Sequence, residues 1–373
     1  MEKHLHIISL TVPYPVDYGG VFDLFYKLTA LQQQGVRIHL HCFDYGRGIQ
    51  TELDKYCESV HYYQRQGYEL FSSLPHIVYS RKNEELLQRL LEDDHPILME
   101  GIHCTYLLND DRFNSRKFFV RLHNVESDYY RDLTKTATST LKKLYYKRES
   151  NLLQRYEKRI ANKATFLSVT VKDAETFTRK YHCKFISYLP LFLPEWKVNS
   201  LTGIGAYCLY QGDLSVDANV KMVEWIVKKV FSETTIPLKI AGKNPPGRLK
   251  KIISGYDHIS IISNPAESQM QQLISEAHIN IIPSFSNTGI KLKLLNALFN
   301  GRHCVVNKAT VEGTGFEHLC HVADTTDHLK NLLAQLYHQP FREDEVQARK
   351  TILEYHFNND VNAKKLVQLI WNQ

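Results

Sequence analysis

The sequence predicts an α/β protein of two domains, each a parallel sheet wrapped by helices. Short apolar, β-branched runs alternate with stretches of helical periodicity. A proline-rich break at 190–194, followed by a polar stretch at 199–205, separates two rounds of that alternation. At 373 residues the chain is long enough for two cores of ordinary size. Strand–helix alternation needs crossover connections, and these make neighbouring strands parallel.

Taken in order, the first strand falls at 5–10, a helix at 21–34, and strands at 36–43 and 59–63. Further strands are expected at 97–99, 118–122 and 165–169. After the break the rhythm restarts at 207–211 and continues with strands at 238–241, 259–262, 278–282 and 304–306. The boundary belongs near 195–204, giving domains 1–200 and 201–360 and a terminal helix in 361–373. No low-complexity tract or solenoid repeat appears.

Lys and Arg number 46 against 40 Asp and Glu, a formal charge of +6. That balance fits anionic ligands or an anionic membrane surface and is too small to indicate nucleic acid. No apolar run reaches the length of a membrane span, and the N-terminus enters an apolar strand directly, so neither a span nor a signal peptide is expected. A cytoplasmic location follows as the expectation. The seven cysteines are scattered singly without a Cys-x-x-Cys pair, which argues against zinc and against a disulfide framework.

The most informative stretch is Ser286-Asn287-Thr288-Gly289-Ile290-Lys291-Leu292-Lys293-Leu294-Leu295-Asn296-Ala297-Leu298-Phe299-Asn300-Gly301. It reads as a loop with a glycine pivot at Gly289 and a short amphipathic helix closed by Gly301, set between two buried strands. A loop at the carboxyl end of a parallel strand, feeding the positive end of a helix, is where α/β proteins hold phosphates. The segment resembles the donor-binding signature of GT-B glycosyltransferases of the group 1 (family 4) type, roughly Glu-Gly-x-Gly-x-x-x-x-Glu-Ala-x-x-x-Gly followed by Pro-Val-Val. It keeps the glycine, Ala297, Gly301 and the valines, and departs at both acidic positions, Thr288 and Asn296.

That resemblance implies two Rossmann-like domains with sheets facing a central cleft, and a last helix packing back on the first domain. It also implies a role for four other pieces. In the 13–20 loop, Gly19 and Gly20 would let backbone N–H groups approach the donor phosphate. Arg121-Leu122-His123-Asn124-Val125-Glu126 resembles the family's Arg-x-His-Asn-x-Glu motif, with His123 near the transferred sugar and Asn124 and Glu126 beside it. Gly212 opens the second domain as the family's glycine loop does, with Asp213 and Ala218 where one branch of the family has cations. Lys243 follows a strand in a position able to meet the diphosphate, and Lys291 and Lys293 come from the signature helix. Residues two apart on a helix occupy different faces, so one of these two lysines is expected on the ligand, Lys291 first. Asn296 stands where the family has its ribose-binding Glu, and Thr288 where an acid supports the donor sugar.

The reading from sequence is a transferase that moves a sugar from a UDP- or GDP-linked donor to a cell-surface glycan or lipid-linked oligosaccharide. The resemblance implies retention of configuration, no cofactor and no metal, and no nucleic-acid partner. The basic, amphipathic region 131–163 fits either a solvated helix over the core or contact with anionic headgroups. The changes at Thr288 and Asn296 leave open an inactive partner of another transferase, and a nucleotide-sugar epimerase is the second alternative.

Overall fold

A computed structural model describes residues 2–17 and 19–372. The chain divides into two compact units: Met1–Arg131 with Tyr145–Glu195 and Phe357–Gln373, and Asp132–Leu144 with Trp196–His356.

The first unit carries β1 (Lys3–Ser9), β2 (Val36–Asp44), β3 (Ser59–Gln64), β4 (Ile97–Glu100), β5 (Phe118–Leu122), β6 (Thr165–Ser168) and β7 (Ile186–Tyr188), side by side in the order β3-β2-β1-β4-β5-β6-β7. Every pairing is parallel. Both faces are covered. Leu5, Ile7, Leu24, Leu28 and Leu31 pack on one side, joined by Ala363, Leu366, Val367 and Ile370 of the Asn359–Trp371 helix. Ile8, Met99, Val120 and Phe166 pack on the other, against Leu86, Leu153 and Phe177.

The second unit carries β8 (Cys208–Gln211), β9 (Leu238–Gly242), β10 (Ile259–Ser263), β11 (Ile279–Ile281), β12 (His303–Val306) and β13 (His321–Val322), in the parallel order β10-β9-β8-β11-β12-β13. Each unit is thus a Rossmann-like sheet in which the chain runs out to one edge and then resumes on the other side of its first strand. The short strands β7 and β13 are additions to the sequence reading; with three and two residues they leave no periodicity to detect.

The region 131–163 is not one helix. Glu126–Thr136 and Thr140–Ile160 are separate, broken at 137–139. The run Thr136-Ala137-Thr138-Ser139-Thr140 explains the break, because its hydroxyls compete for backbone groups, and Thr136 Oγ1 bonds back to the Asp132 carbonyl at 3.3 Å. The second helix buries Glu149, Ser150, Leu153, Tyr156, Glu157 and Ile160. All seven cysteines are unpaired.

Three glycines of the second unit, Gly205, Gly242 and Gly301, are dictated by space. A Cβ on Gly242, at the end of β9, would lie 1.9 Å from the Gly212 carbonyl, and one on Gly301 would lie 2.3 Å from Asn280 Nδ2. Gly301 closes its helix with φ −98, so a left-handed cap is not what requires it. Gly289, by contrast, has φ 61 and is a true pivot. Gly242→Ala should therefore lower stability by about 1–3 kcal/mol through forced overlap, measured as a reduced urea midpoint. An unchanged midpoint would show that the Gly212 loop yields freely.

Candidate functional site

In the first unit the chain reverses its strand order between β1 and β4, and the carboxyl ends of the strands there open a crevice. Five polar side chains converge at this point. Asp23 and Lys27 lie one turn apart on the Gly19–Gln33 helix, Glu100 ends β4, Arg121 sits in β5, and His123 follows it. The first four are buried. Lys27 Nζ donates to Asp23 at 2.9 Å and to Glu100 at 2.6 Å. Arg121 donates to Asp23 through Nε at 2.8 Å and Nη2 at 3.0 Å, and to the Leu189 and Pro190 carbonyls at 2.7 and 2.8 Å. The Phe192 N–H adds a further bond to Asp23 at 2.9 Å. Burial pushes the Asp23 pKa up, but Arg121 and then Lys27 outweigh it and hold the carboxyl well below its usual range.

His123 inherits its orientation from this network. Its Nε2 lies 3.3 Å from Asp23 Oδ2 and 3.7 Å from Glu100 Oε2, and that Glu100 oxygen is buried with no hydrogen-bond partner. An ionised carboxylate only accepts, so Nε2 carries the hydrogen and a neutral ring keeps Nδ1 as its acceptor. The side chain stays 23% exposed. Asp23, Glu100 and His123 also have the spacing of a cation site, and the Lys27 ammonium fills that role between the two carboxylates.

Asn124 and Glu126 stand just beyond. Asn124 Nδ2 donates to Glu126 Oε1 at 3.4 Å. Glu126 is itself buried, and burial followed by the charge of Glu157 pushes its carboxyl up to about 8. Gly19 and Gly20 begin the helix that carries Asp23; Tyr18, in the same loop, lies outside the described residues.

In the second unit the reversal falls between β8 and β11, and the sequence-predicted donor residues divide around it. Gly212 directly follows β8, and Lys243, exposed, directly follows β9. The loop after β11 carries Ser286, Thr288 and Gly289 into the Leu292–Asn300 helix. Thr288 is buried and its hydroxyl pairs with Ser286 Oγ at 3.0 Å. Lys291 caps the helix through its backbone, and its ammonium folds back onto the Thr288 carbonyl. Lys293 turns the other way, 4.9 Å above the Tyr210 ring of β8. Burial, then the charge of Lys291, pushes its ammonium down to about 8. Asn296 is half-buried, with Oδ1 accepting from Asn300 Nδ2 at 2.8 Å. Its amide hydrogens, rather than its oxygen, are what it offers to a ligand.

Sequence reasoning missed four residues. Asp23 and Lys27 look like an ordinary i,i+4 surface pair. Glu100 gave a signal, since it closes the apolar run Ile97-Leu98-Met99 at a carboxyl end. Gln211 closes β8 in the same way, and its Nε2 is buried without a partner.

Residues 205–339 match the sequence model of the family described as glycosyl transferases group 1. The two Rossmann-like units of this chain have the GT-B fold. The chain is similar, at 27% identity over 331 residues covering 84% of each chain, to an uncharacterised 44.6 kDa protein of the cps region of Klebsiella pneumoniae. Among solved structures it is similar in fold to a Rickettsia africae glycosyltransferase (TM-score 0.65, 12% identity, 100% of this chain and 98% of that one). It is likewise similar to Anabaena HepE, solved with UDP and glucose (TM-score 0.63, 10% identity, 100% of both chains).

Arg121 and His123 should behave differently in this protein. Arg121→Met strands a buried carboxylate and should cost about 3–5 kcal/mol of stability. His123→Ala, at a part-exposed ring, should cost less than about 1 kcal/mol. Chemical denaturation of both variants checks this, and comparable losses would make His123 a core residue.

Proposed function

We propose that the protein transfers a sugar from a UDP- or GDP-linked donor to a cell-surface glycan or lipid-linked oligosaccharide, with retention of configuration and without a metal. The observation that carries this reading is the cationic start of the Leu292–Asn300 helix at the β8/β11 reversal. A departing nucleoside diphosphate needs its growing charge met at once. The first N–H groups of that helix point to such a ligand, and Lys291, Lys293 and Lys243 supply positive charge. Lys293 serves this well because its ammonium is already partly stripped of water and gains most from an anion. The unpaired Gln211 amide and the Asn296 amide add neutral donors. HepE, solved with UDP and glucose, supports UDP as the first base to test. The Klebsiella relative from the cps region supports a surface glycan as the product.

On the acceptor side, His123 turns Nδ1 towards a sugar hydroxyl while Asp23 and Glu100 hold Nε2. For a lipid-linked acceptor, the start of the Thr140–Ile160 helix is suited to a membrane surface. Leu141 and Leu144 are 79% and 61% exposed there, among exposed Lys143 and Lys147. No helix among the described residues is long and apolar enough to cross a membrane, so contact would be peripheral.

Calorimetric titration with UDP and GDP tests the donor site. Only protonated Lys293 attracts the diphosphate, so affinity should hold below pH 8 and fall as the pH rises through about 8. Lys293→Met should weaken binding by about 1.5–3 kcal/mol, the value of a hydrogen bond to a charged group, and flatten the pH profile. Failure of both nucleotides to bind, or a Lys293→Met profile identical to the wild type, would defeat the assignment.

A further inference from the structure

The second unit holds a group of side chains that the transfer reaction does not use. His303 opens β12, His321 opens β13, and Glu345 lies in the Glu343–Arg349 helix. All three sit at the amino end of the sheet, the end away from the Gly289 loop. His303 is fully buried, and its Nε2 lies 3.0 Å from the Gln339 carbonyl. A carbonyl only accepts, so Nε2 carries the hydrogen and Nδ1 of the neutral ring is a lone pair. That lone pair faces His321 Nε2 at 3.2 Å and Glu345 Oε1 at 3.9 Å. The three ligand atoms lie within 4.8 Å of one another.

We propose that His303, His321 and Glu345 bind a divalent transition-metal ion, Zn²⁺ by its ligand set, with water completing the tetrahedron. A tetrahedral ion with Zn–N of about 2.0–2.1 Å holds its ligand atoms about 3.3 Å apart, between the two separations observed. Two imidazoles and one carboxylate are an established zinc donor set, and nitrogen ligands disfavour Mg²⁺ and Ca²⁺. The surroundings are those of metal ligands. The Gln339 carbonyl fixes the His303 tautomer, and Glu345 is oriented because its Oε2 accepts from the Arg342 N–H at 2.9 Å. His321 ligates through Nε2 once its ring hydrogen moves to Nδ1, and no proton need leave. The ion would clamp the Glu343–Arg349 helix to the β12–β13 edge, a structural role separate from the metal-free transfer reaction. The scattered cysteines argued against zinc in the sequence, an argument that bears on thiolate ligands and not on imidazoles and a carboxylate.

The test is calorimetric and thermal-shift titration of the chelator-treated full chain with ZnCl₂ alone. The wild type should take up zinc stoichiometrically with a rise in Tm. His321→Ala and Glu345→Gln should each lose one equivalent or weaken it by more than about tenfold. Glu345→Gln keeps an oxygen for the Arg342 N–H, so it reports on the metal even if His321→Ala folds poorly. His95→Ala should leave this equivalent unchanged, since His95 belongs to the separate group with His4 and His39. Absence of stoichiometric uptake, or uptake indifferent to Glu345→Gln, overturns the proposal. So does uptake lost only in His95→Ala.

Discussion

The carboxylate of Asp23 is the constraint on which the first unit depends. Taking an ion out of water costs several kcal/mol even after relaxation, and only close, well-directed partners return it. Asp23 meets that condition by drawing donors from three places at once. Lys27 comes from its own helix, Arg121 from β5, and the Phe192 N–H from the segment that leaves β7. Lys27 extends the network to Glu100 at the end of β4. Two acids and two bases balance, so the cluster is neutral as a whole, yet losing any one leaves a charge stranded. It therefore fixes helix, strands and trailing segment at the point where the strand order reverses. His123 stands at its edge, held by carboxylates on one side and open on the other.

The second unit gathers positive charge instead of burying negative charge. Backbone approaches too close for any Cβ at Gly242 bring the Gly212 loop against β9. Gly289, in the left-handed region, turns the loop after β11 into its helix. Two lysines at that helix start point in different directions. Lys291 is held by the Thr288 carbonyl, while Lys293 lies over Tyr210 with a depressed pKa. Of the pair, Lys293 has the depressed pKa, and Lys291 is the one that the sequence reading favoured.

How much of this was legible in the sequence depended on how local the signal was. The parallel strands, the Gly289 pivot, the helix after it and the His123 motif were all visible, since each shows as a short periodic run or a motif at a strand end. Gly301 was identified for a conformational reason, while the structure shows a steric one that depends on Asn280, about twenty residues away in sequence. Asp23 and Lys27 gave no signal because their partners, Glu100 and Arg121, are distant in the chain. The break at 137–139 was hidden by basic and apolar residues that keep helical spacing on both sides. The His303, His321 and Glu345 group was invisible for the same reason as Asp23, as its members come from two strands and a helix.

The central claim, that buried carboxylates present His123 with Nε2 as donor and Nδ1 as acceptor, is tested most directly by nitrogen NMR of its imidazole. The wild type should show the Nε2–H tautomer as the single neutral form. Glu100→Gln, which leaves Asp23 and Arg121 in place, should weaken that preference without shifting the other histidines. A wild-type His123 in the Nδ1–H form, or an equal mixture of the two tautomers, would contradict the account.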